Sequence, residues 1–403
     1  MNTLAEVETV ITPGQLDQLL NGDRKLFIVD VRNNEEFQQR RIEGRGLPDP
    51  IHVQYFELMD ADEEDLAAPV AAYAEAHWKG LIPSDSLLIC VCGKGDTSDF
   101  VAEGLRRIGY DAVNLAGGMA AWGDYYAIRL ALETDEVTIH QVIRPARGCL
   151  SYIVSSGGEA VVIDPLRHIE HYTDFARQHQ VRIIAVIDTH GHADHISGAA
   201  KLAELLGVPY YMHPYDAIHP IDILPATISF RWLEDGFELP VGATAVRAIH
   251  TPGHTLGNMV LIAAGRYMFS GDTTFIESIA RPDLGGRGEG WAGLHHDSLA
   301  RILELPDTTE VFPGHYSRPD EATAGNLFRA TLGELRRSNE GLEMVGHGRD
   351  EFVRYILSDL PKFPDEYVDI KRVNAGLMFP DEQKASELEL GRNLCALSGA
   401  YKK

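Results

Sequence analysis

Cysteine is scarce: the 403 residues hold four, Cys90, Cys92, Cys149 and Cys395. They are too few and too scattered for a disulfide framework, which points to a reducing compartment. Positive charge is short as well. Against 60 Asp and Glu stand 36 Lys and Arg, a formal charge of -24, so no general surface for nucleic acid or an anionic membrane is expected, although a local basic cluster can still hold a small anion. Long apolar runs are missing: no window approaches the roughly 18 consecutive apolar residues of a membrane helix. The opening stretch MNTLAEVETVITPGQ has neither the basic start nor the apolar centre of a secretion signal. Repeats at solenoid spacing and low-complexity segments are absent too. The expectation is a cytoplasmic protein without nucleic-acid or membrane partners, long enough for two hydrophobic cores.

The rhythm of the chain changes once. Residues 1–130 alternate short buried strands and helices (KLFIVDV, NEEFQQRRI, SLLICVC, SDFVAEGLRRIGY, DAVNLAG), the pattern of a parallel α/β sheet. Around DYYAIRLALETDE the apolar period fades and charge accumulates, so the boundary is placed near residues 128 to 137. From there VTIHQVI, CLSYIVS and EAVVIDP read as strands joined by short turns. A helix, HIEHYTDFARQHQ, then leads into the strand VRIIAVI, and a second helix, SGAAKLAELLG, closes at Gly207.

Directly after VRIIAVI comes IDTHGHADHI, three histidines and an aspartate within six residues at a strand end. One histidine there would read as a polar loop residue. His190, His192, Asp194 and His195 together read as ligands, because imidazole and carboxylate suit zinc, iron and manganese and a strand end can aim several at one point. Farther on, AIHTPGHTLGN supplies His254, RYMFSGDTTF supplies Asp272, and TEVFPGHYS supplies His315, each at the end of a strand.

In the first half the residue to explain is Cys92 in ICVCGKGDTSDF. It stands where a buried strand passes through a glycine-rich loop into a helix, so the amides of Gly93 through Ser98 can face the sulfur, lower its pKa and hold an anion above it. Asp96 or Ser98 is expected to cap the helix. Cys90, two residues earlier, reads as a small core residue.

These stretches carry two resemblances. FIVDVRNNEEFQQRRIEG, the Cys92 loop and VNLAGGMAAW follow the order and spacing of the rhodanese domain. That resemblance implies a domain over residues 1–130 in which Cys92 accepts sulfane sulfur as a persulfide while Asp30 and Arg32 are structural. Where the family loop often carries Arg this chain has Thr97, and Lys94 is the candidate for the positive charge. The histidine and aspartate motifs resemble the metallo-β-lactamase fold, an αββα sandwich with its metal site along one edge, over residues 137–340. Residues 341–403 are assigned to a C-terminal extension packed on it.

Two functions follow from the second resemblance. Hydrolases of this fold such as glyoxalase II use all seven motif residues to hold two metals, zinc being the alternative here. Persulfide dioxygenases bind one Fe(II) per chain, which maps here to His190, His254 and Asp272. His192, Asp194, His195 and His315 then support them or hold a second metal. The stretch TTFIESIARPDLGG is similar to the dioxygenase version, with Arg281 and Asp283 in register, and the tail LPKFPDEYVDIKRVNAGL is similar to bacterial members. Fusion to a sulfur-relay domain agrees with sulfur oxidation better than with thioester hydrolysis. The expected activity is oxidation of glutathione persulfide, or a similar small persulfide, with O2 to sulfite and thiol. Arg281, Tyr316 and Lys94 are candidate substrate-site residues, Arg281 supporting the substrate loop or the substrate's carboxylates, and thiosulfate and glutathione are candidate small-molecule partners. A non-catalytic sulfur carrier or redox scaffold is the third reading, and the sequence leaves a homodimer open.

Overall fold

Five short apolar strands build the first unit: β1 (Val10–Ile11), β2 (Leu26–Asp30), β3 (Ile51–His52), β4 (Leu87–Val91) and β5 (Ala112–Leu115). All pair in parallel, in the order β1-β5-β4-β2-β3. Because successive side chains of a strand point to opposite faces, Phe27 and Val29 pack with Val70, Val101 and Leu105, while Leu26 and Ile28 pack with Leu16, Met119 and Trp122. Each such apolar side chain contributes about 1.5–3 kcal/mol when buried. Cys90 is fully buried on the first of these faces, as a small core residue should be, and burial pushes its thiol pKa far up. The computed structural model describes residues 9–59, 64–286, 288–358 and 360–401. The division into two compact units falls between Ala127 and Ile128, with residues 144–147 and 390–392 counted in the first.

The second unit holds two sheets. One has seven strands, β6 (Ala127–Glu133), β7 (Thr138–Arg144), β8 (Cys149–Ser156), β9 (Glu159–Ile163), β10 (Arg182–Ile187), β11 (Tyr210–Met212) and β12 (Arg231–Trp232), side by side in order from β12 to β6. The other has six, β13 (Glu238–Val241), β14 (Thr244–His250), β15 (Met259–Ala263), β16 (Tyr267–Gly271), β17 (Glu310–Pro313) and β18 (Ala330–Thr331). Tyr152 of β8 meets Phe269 of β16 and Phe312 of β17, so the sheets face one another. On the outer side of the second sheet, Val260, Ile262 and Met268 pack against Ala292, Leu299 and Ile302 of the helix Gly288–Ile302. On the outer side of the first, His140 of β7 meets Phe175 of the helix Glu170–Gln178. The layering is αββα.

The charged run 127–133 is a strand rather than a connection. It is an edge strand in which Ala127 and Ala131 alone are buried, and with so little of it covered it shows no apolar period. Beyond β18 the chain is helical: Phe352 and Ile356 join the core behind the second sheet, and Ile370, Ala385 and Leu388 pack on Ile196 of the histidine loop.

Candidate functional site

In the first unit Cys92 directly follows β4 and is buried. Gly95 takes φ +96 and opens the helix Asp96–Arg107. A Cβ on Gly95 would lie 2.8 Å from the amide nitrogen of Gly117, so the turn requires glycine. Neither Asp96 nor Ser98 caps this helix. The Ser98 hydroxyl is used inside the loop, 2.7 Å from Asn114 Oδ1 and 3.3 Å from Cys92 Sγ, while the Gly95 amide donates to the sulfur at 3.1 Å. Burial raises the thiol pKa, but donation from the Ser98 hydroxyl and from the amides of Ser98, Lys94 and Gly95 outweighs it and holds Cys92 below an ordinary cysteine. Cys92, Lys94 and Thr97 line a cleft of about 390 Å3 with Arg32, Glu36 and Tyr55. Asp30 and Arg32 form a buried pair at 2.6 Å, and Arg32 also donates to the carbonyls of Glu36 and Arg40. Asn114, absent from the sequence reading, orients Ser98 and holds the Gly95 carbonyl at 2.8 Å.

In the second unit the strand ends of β10, β14 and β16 bring His190, His254 and Asp272 together, their ligand atoms all within 4.8 Å of one another. The tautomers follow from their neighbours. Thr189 Oγ has one proton and donates it to Asp164 Oδ2 at 2.9 Å, so its contact with His190 Nδ1, also 2.9 Å, must be donated by the ring. His254 Nδ1 likewise donates to the Arg281 carbonyl at 2.8 Å. Both rings therefore turn a bare Nε2 lone pair inward. Asp272 Oδ1 is held by His315 Nδ1 at 2.7 Å, while its Oδ2 lies 3.8 Å from His190 Nε2 and 3.4 Å from His254 Nε2. These three atoms are buried and have no hydrogen-bond partner among the described residues. Burial, with His192 and His254 nearby, holds His190 well below the usual histidine pKa, and burial lowers His254 also. Three converging lone pairs without a donor suit a cation, and two imidazoles with one carboxylate leave coordination positions open.

His192 is not in that cluster. Its Nε2 lies 3.1 Å from Asp164 Oδ1 and 3.7 Å from Asp188 Oδ1; burial disfavours the charged ring, but the two carboxylates outweigh it and hold it protonated. Asp194, His195 and His315 form a second group joined by Cys149, whose thiol donates to Asp194 Oδ2 at 3.4 Å. His315 sits between Asp194 (2.8 Å) and Asp272 (2.7 Å), which raise its pKa well above normal despite burial. Cys395 lies with Asp272 and His315 in a third group. Neither Cys149 nor Cys395 stood out in the sequence, because each is a lone cysteine far from any motif.

Two of the candidate substrate-site residues, Arg281 and Tyr316, lie apart from the cavity beside the histidine loop. Arg281 is fully buried, paired with Asp283 at 2.6 Å and donating to the carbonyls of Pro361, Lys362 and Leu394, so its guanidinium is committed to tying the loop to the C-terminal segment. Tyr316 stacks on Phe328, ring centroids 3.7 Å apart.

The loops are fastened by residues outside the motifs. Asp216 accepts from the Gly191 amide (2.7 Å), the Thr255 hydroxyl (2.6 Å) and the Gly257 amide (2.8 Å), clamping the His190 and His254 loops to one carboxylate. From the C-terminal helix Glu366–Asn374, Lys371 donates to the Gly191 carbonyl at 2.6 Å and Asn374 to the carbonyls of His192 and His195. Glu389 receives the Ile196 amide at 2.8 Å. The tail segment around Lys371 is thus no mere surface connection.

Comparison with known proteins agrees with this layout. Residues 144–315 match the metallo-beta-lactamase superfamily and residues 12–125 match the rhodanese-like domain. An uncharacterized protein of Aquifex aeolicus is 33% identical over 205 residues, 47% of this chain and 93% of that protein. A hydroxyacylglutathione hydrolase of Anaeromyxobacter dehalogenans is 33% identical over 204 residues, 48% of this chain and 74% of that one. The crystal structure of a metallo-beta-lactamase from Staphylococcus aureus superposes with a TM-score of 0.53 at 27% identity, covering 60% of this chain and 74% of its own. No helix among the described residues is long and apolar enough to cross a membrane. The histidine and aspartate loops are those of the metallo-beta-lactamase superfamily, to which this chain belongs, with a rhodanese-like domain preceding them.

Proposed function

We propose that the chain oxidises a low-molecular-weight persulfide, with glutathione persulfide as the reference substrate, to sulfite and thiol at a single Fe(II) held by His190, His254 and Asp272. The overall reaction consumes persulfide, O2 and one water and releases thiol, sulfite and two protons. The observation that carries this reading is the three-point cluster itself: two imidazoles locked with Nδ1 protonated, one carboxylate oxygen, and His192 drawn away by Asp164. Iron bound there would supply the oxygen-transfer chemistry. The residues of the chain hold the geometry. Thr189 and the Arg281 carbonyl fix the rings, and His315 occupies the second oxygen of Asp272 so that the other stays directed inward.

In the first domain the Cys92 thiolate would attack the outer sulfur of thiosulfate or a persulfide. The new S–S bond forms on Cys92 as the old one breaks, and sulfite or thiol leaves. Lys94, which lines the same cleft, would attract the anionic donor.

The test is O2 uptake with glutathione persulfide by iron-loaded protein, alongside metal content. His254→Ala and Asp272→Ala lose iron and O2 uptake together, whereas His192→Ala keeps most of its iron. Equal iron loss in all three would show the ligand set to be wrong. A second reading, a two-zinc thioester hydrolase, draws on the group Cys149, Asp194, His195 and His315 and on the hydroxyacylglutathione hydrolase relative. Two zincs per chain with thioester cleavage and no O2 uptake would establish it instead.

A further inference from the structure

Gly191, His192 and Thr255, on the loops that carry the candidate ligands, line a cavity of about 220 Å3. That is smaller than the roughly 300–1,000 Å3 of sites that enclose drug-sized ligands. Much of its remaining lining is apolar: Tyr210, Met212, Ile218, Ile223, Leu256 and Trp291. The apolar character continues outward, since Ile223 is 67% and Ile218 47% exposed.

Glutathione brings two carboxylates and an ammonium, each of which needs a partner when it leaves water. Lys371 is the only lysine or arginine among the described lining residues, and its Nζ already donates to the Gly191 carbonyl. The carboxylates of the lining are engaged with the protein as well. Asp188 Oδ2 accepts from Ser197 and Tyr210 at 2.8 Å each while its Oδ1 faces the His192 ring at 3.7 Å, and Asp216 is the clamp between the two loops. Little is left to receive a charged tripeptide, while an alkyl or aryl group would remove apolar surface from water on both sides.

We infer that this cavity binds the carrier half of the substrate and that the carrier is a compact apolar group, an alkyl or aryl persulfide in preference to glutathione persulfide. The inference rests on the persulfide reading above, but carrier binding and oxidation are measured separately.

Trp291 makes the cavity its own reporter. In the iron-loaded full-length protein without O2, 1-hexanethiol should give a saturable change in tryptophan fluorescence with a Kd at least tenfold below that of glutathione. The change should vanish in Trp291→Phe. Leu256→Glu and Ile218→Glu should each weaken hexanethiol binding at least tenfold without weakening glutathione. Glutathione binding as tight as hexanethiol, or hexanethiol affinity unmoved in both glutamate variants, overturns the inference. O2 uptake with hexyl persulfide is the separate arm: tight hexanethiol binding without uptake upholds the cavity assignment and removes the oxidation reading.

Discussion

Thr189→Val deletes one buried hydroxyl and nearly nothing else, because valine has the same shape. The hydroxyl passes its proton to Asp164 and receives the Nδ1 proton of His190, so its loss leaves that ring nitrogen without an acceptor. An unpaired buried donor costs about 1–3 kcal/mol. The ring can recover part of that by moving its proton to Nε2, which destroys the inward lone pair. Removing partners of this kind typically lowers metal affinity about 10–100-fold, or about 1.4–2.8 kcal/mol at 1.4 kcal/mol per decade, so the two routes agree. Asp164 keeps the Thr189 amide at 2.6 Å and His192 at 3.1 Å, so the scaffold around it stays in place. Competition with a chromophoric chelator for Fe(II) reads the affinity directly, and Thr189→Ser, which retains the hydroxyl, should stay close to wild type. If Thr189→Val binds metal within twofold of wild type, the ring is held by something other than Thr189 and the tautomer argument fails.

Three further outcomes are expected. Cys92→Ser abolishes sulfur transfer from thiosulfate and leaves oxidation of preformed persulfide intact, while Asp272→Ala does the reverse; loss of oxidation in Cys92→Ser would place that thiol on the oxidation pathway. Glu321 is buried, accepts the amides of Ser317 and Arg318, and is pushed by burial from 4.5 up to about 7. A raised carboxylate pKa favours the protonated folded state, so this stability is complete below about pH 4.5, falls between there and about pH 7, and levels off above. The drop is about 3 kcal/mol at 1.36 kcal/mol per unit, and Glu321→Gln should flatten it in urea unfolding measured from pH 4.5 to 8; an unchanged slope would refute it. Asn374→Ala, which frees the carbonyls of His192 and His195, should weaken metal binding several-fold with only a small loss of stability in the metal-free protein, and calorimetry with and without metal separates the two.

What could be read in advance follows from chemistry that is local along the chain. His190 through His195 lie within six residues, and Cys92 announces itself through its glycine loop. The clamps could not be read so. Asp216, Lys371, Asn374 and Glu389 are single polar residues in ordinary surroundings, and their partners lie 25 to 193 residues away. Arg281 shows the same limit in reverse. Its match to the dioxygenase stretch implied support of the substrate loop or of the substrate's carboxylates, but not that three carbonyls of the C-terminal segment take up its guanidinium. The edge strand Ala127–Glu133 was hidden because its exposure interrupts the apolar alternation on which strand recognition depends.

The fastening of the histidine loop by the C-terminal helix also sets an order of assembly. Synthesis delivers residues 12–125 of the rhodanese-like domain before the histidine loop, while residues 390–392, counted in the same compact unit, come after it. The histidine loop leaves the ribosome long before Lys371, Asn374 and Glu389, so until those residues emerge the carbonyls of Gly191, His192 and His195 and the amide of Ile196 lack their native partners. Metal seated by a nascent chain would meet a loop still free to move. The finished centre is therefore made only once residues 371–389 have emerged, and a ribosome stalled before Lys371 should display a histidine loop that has yet to set.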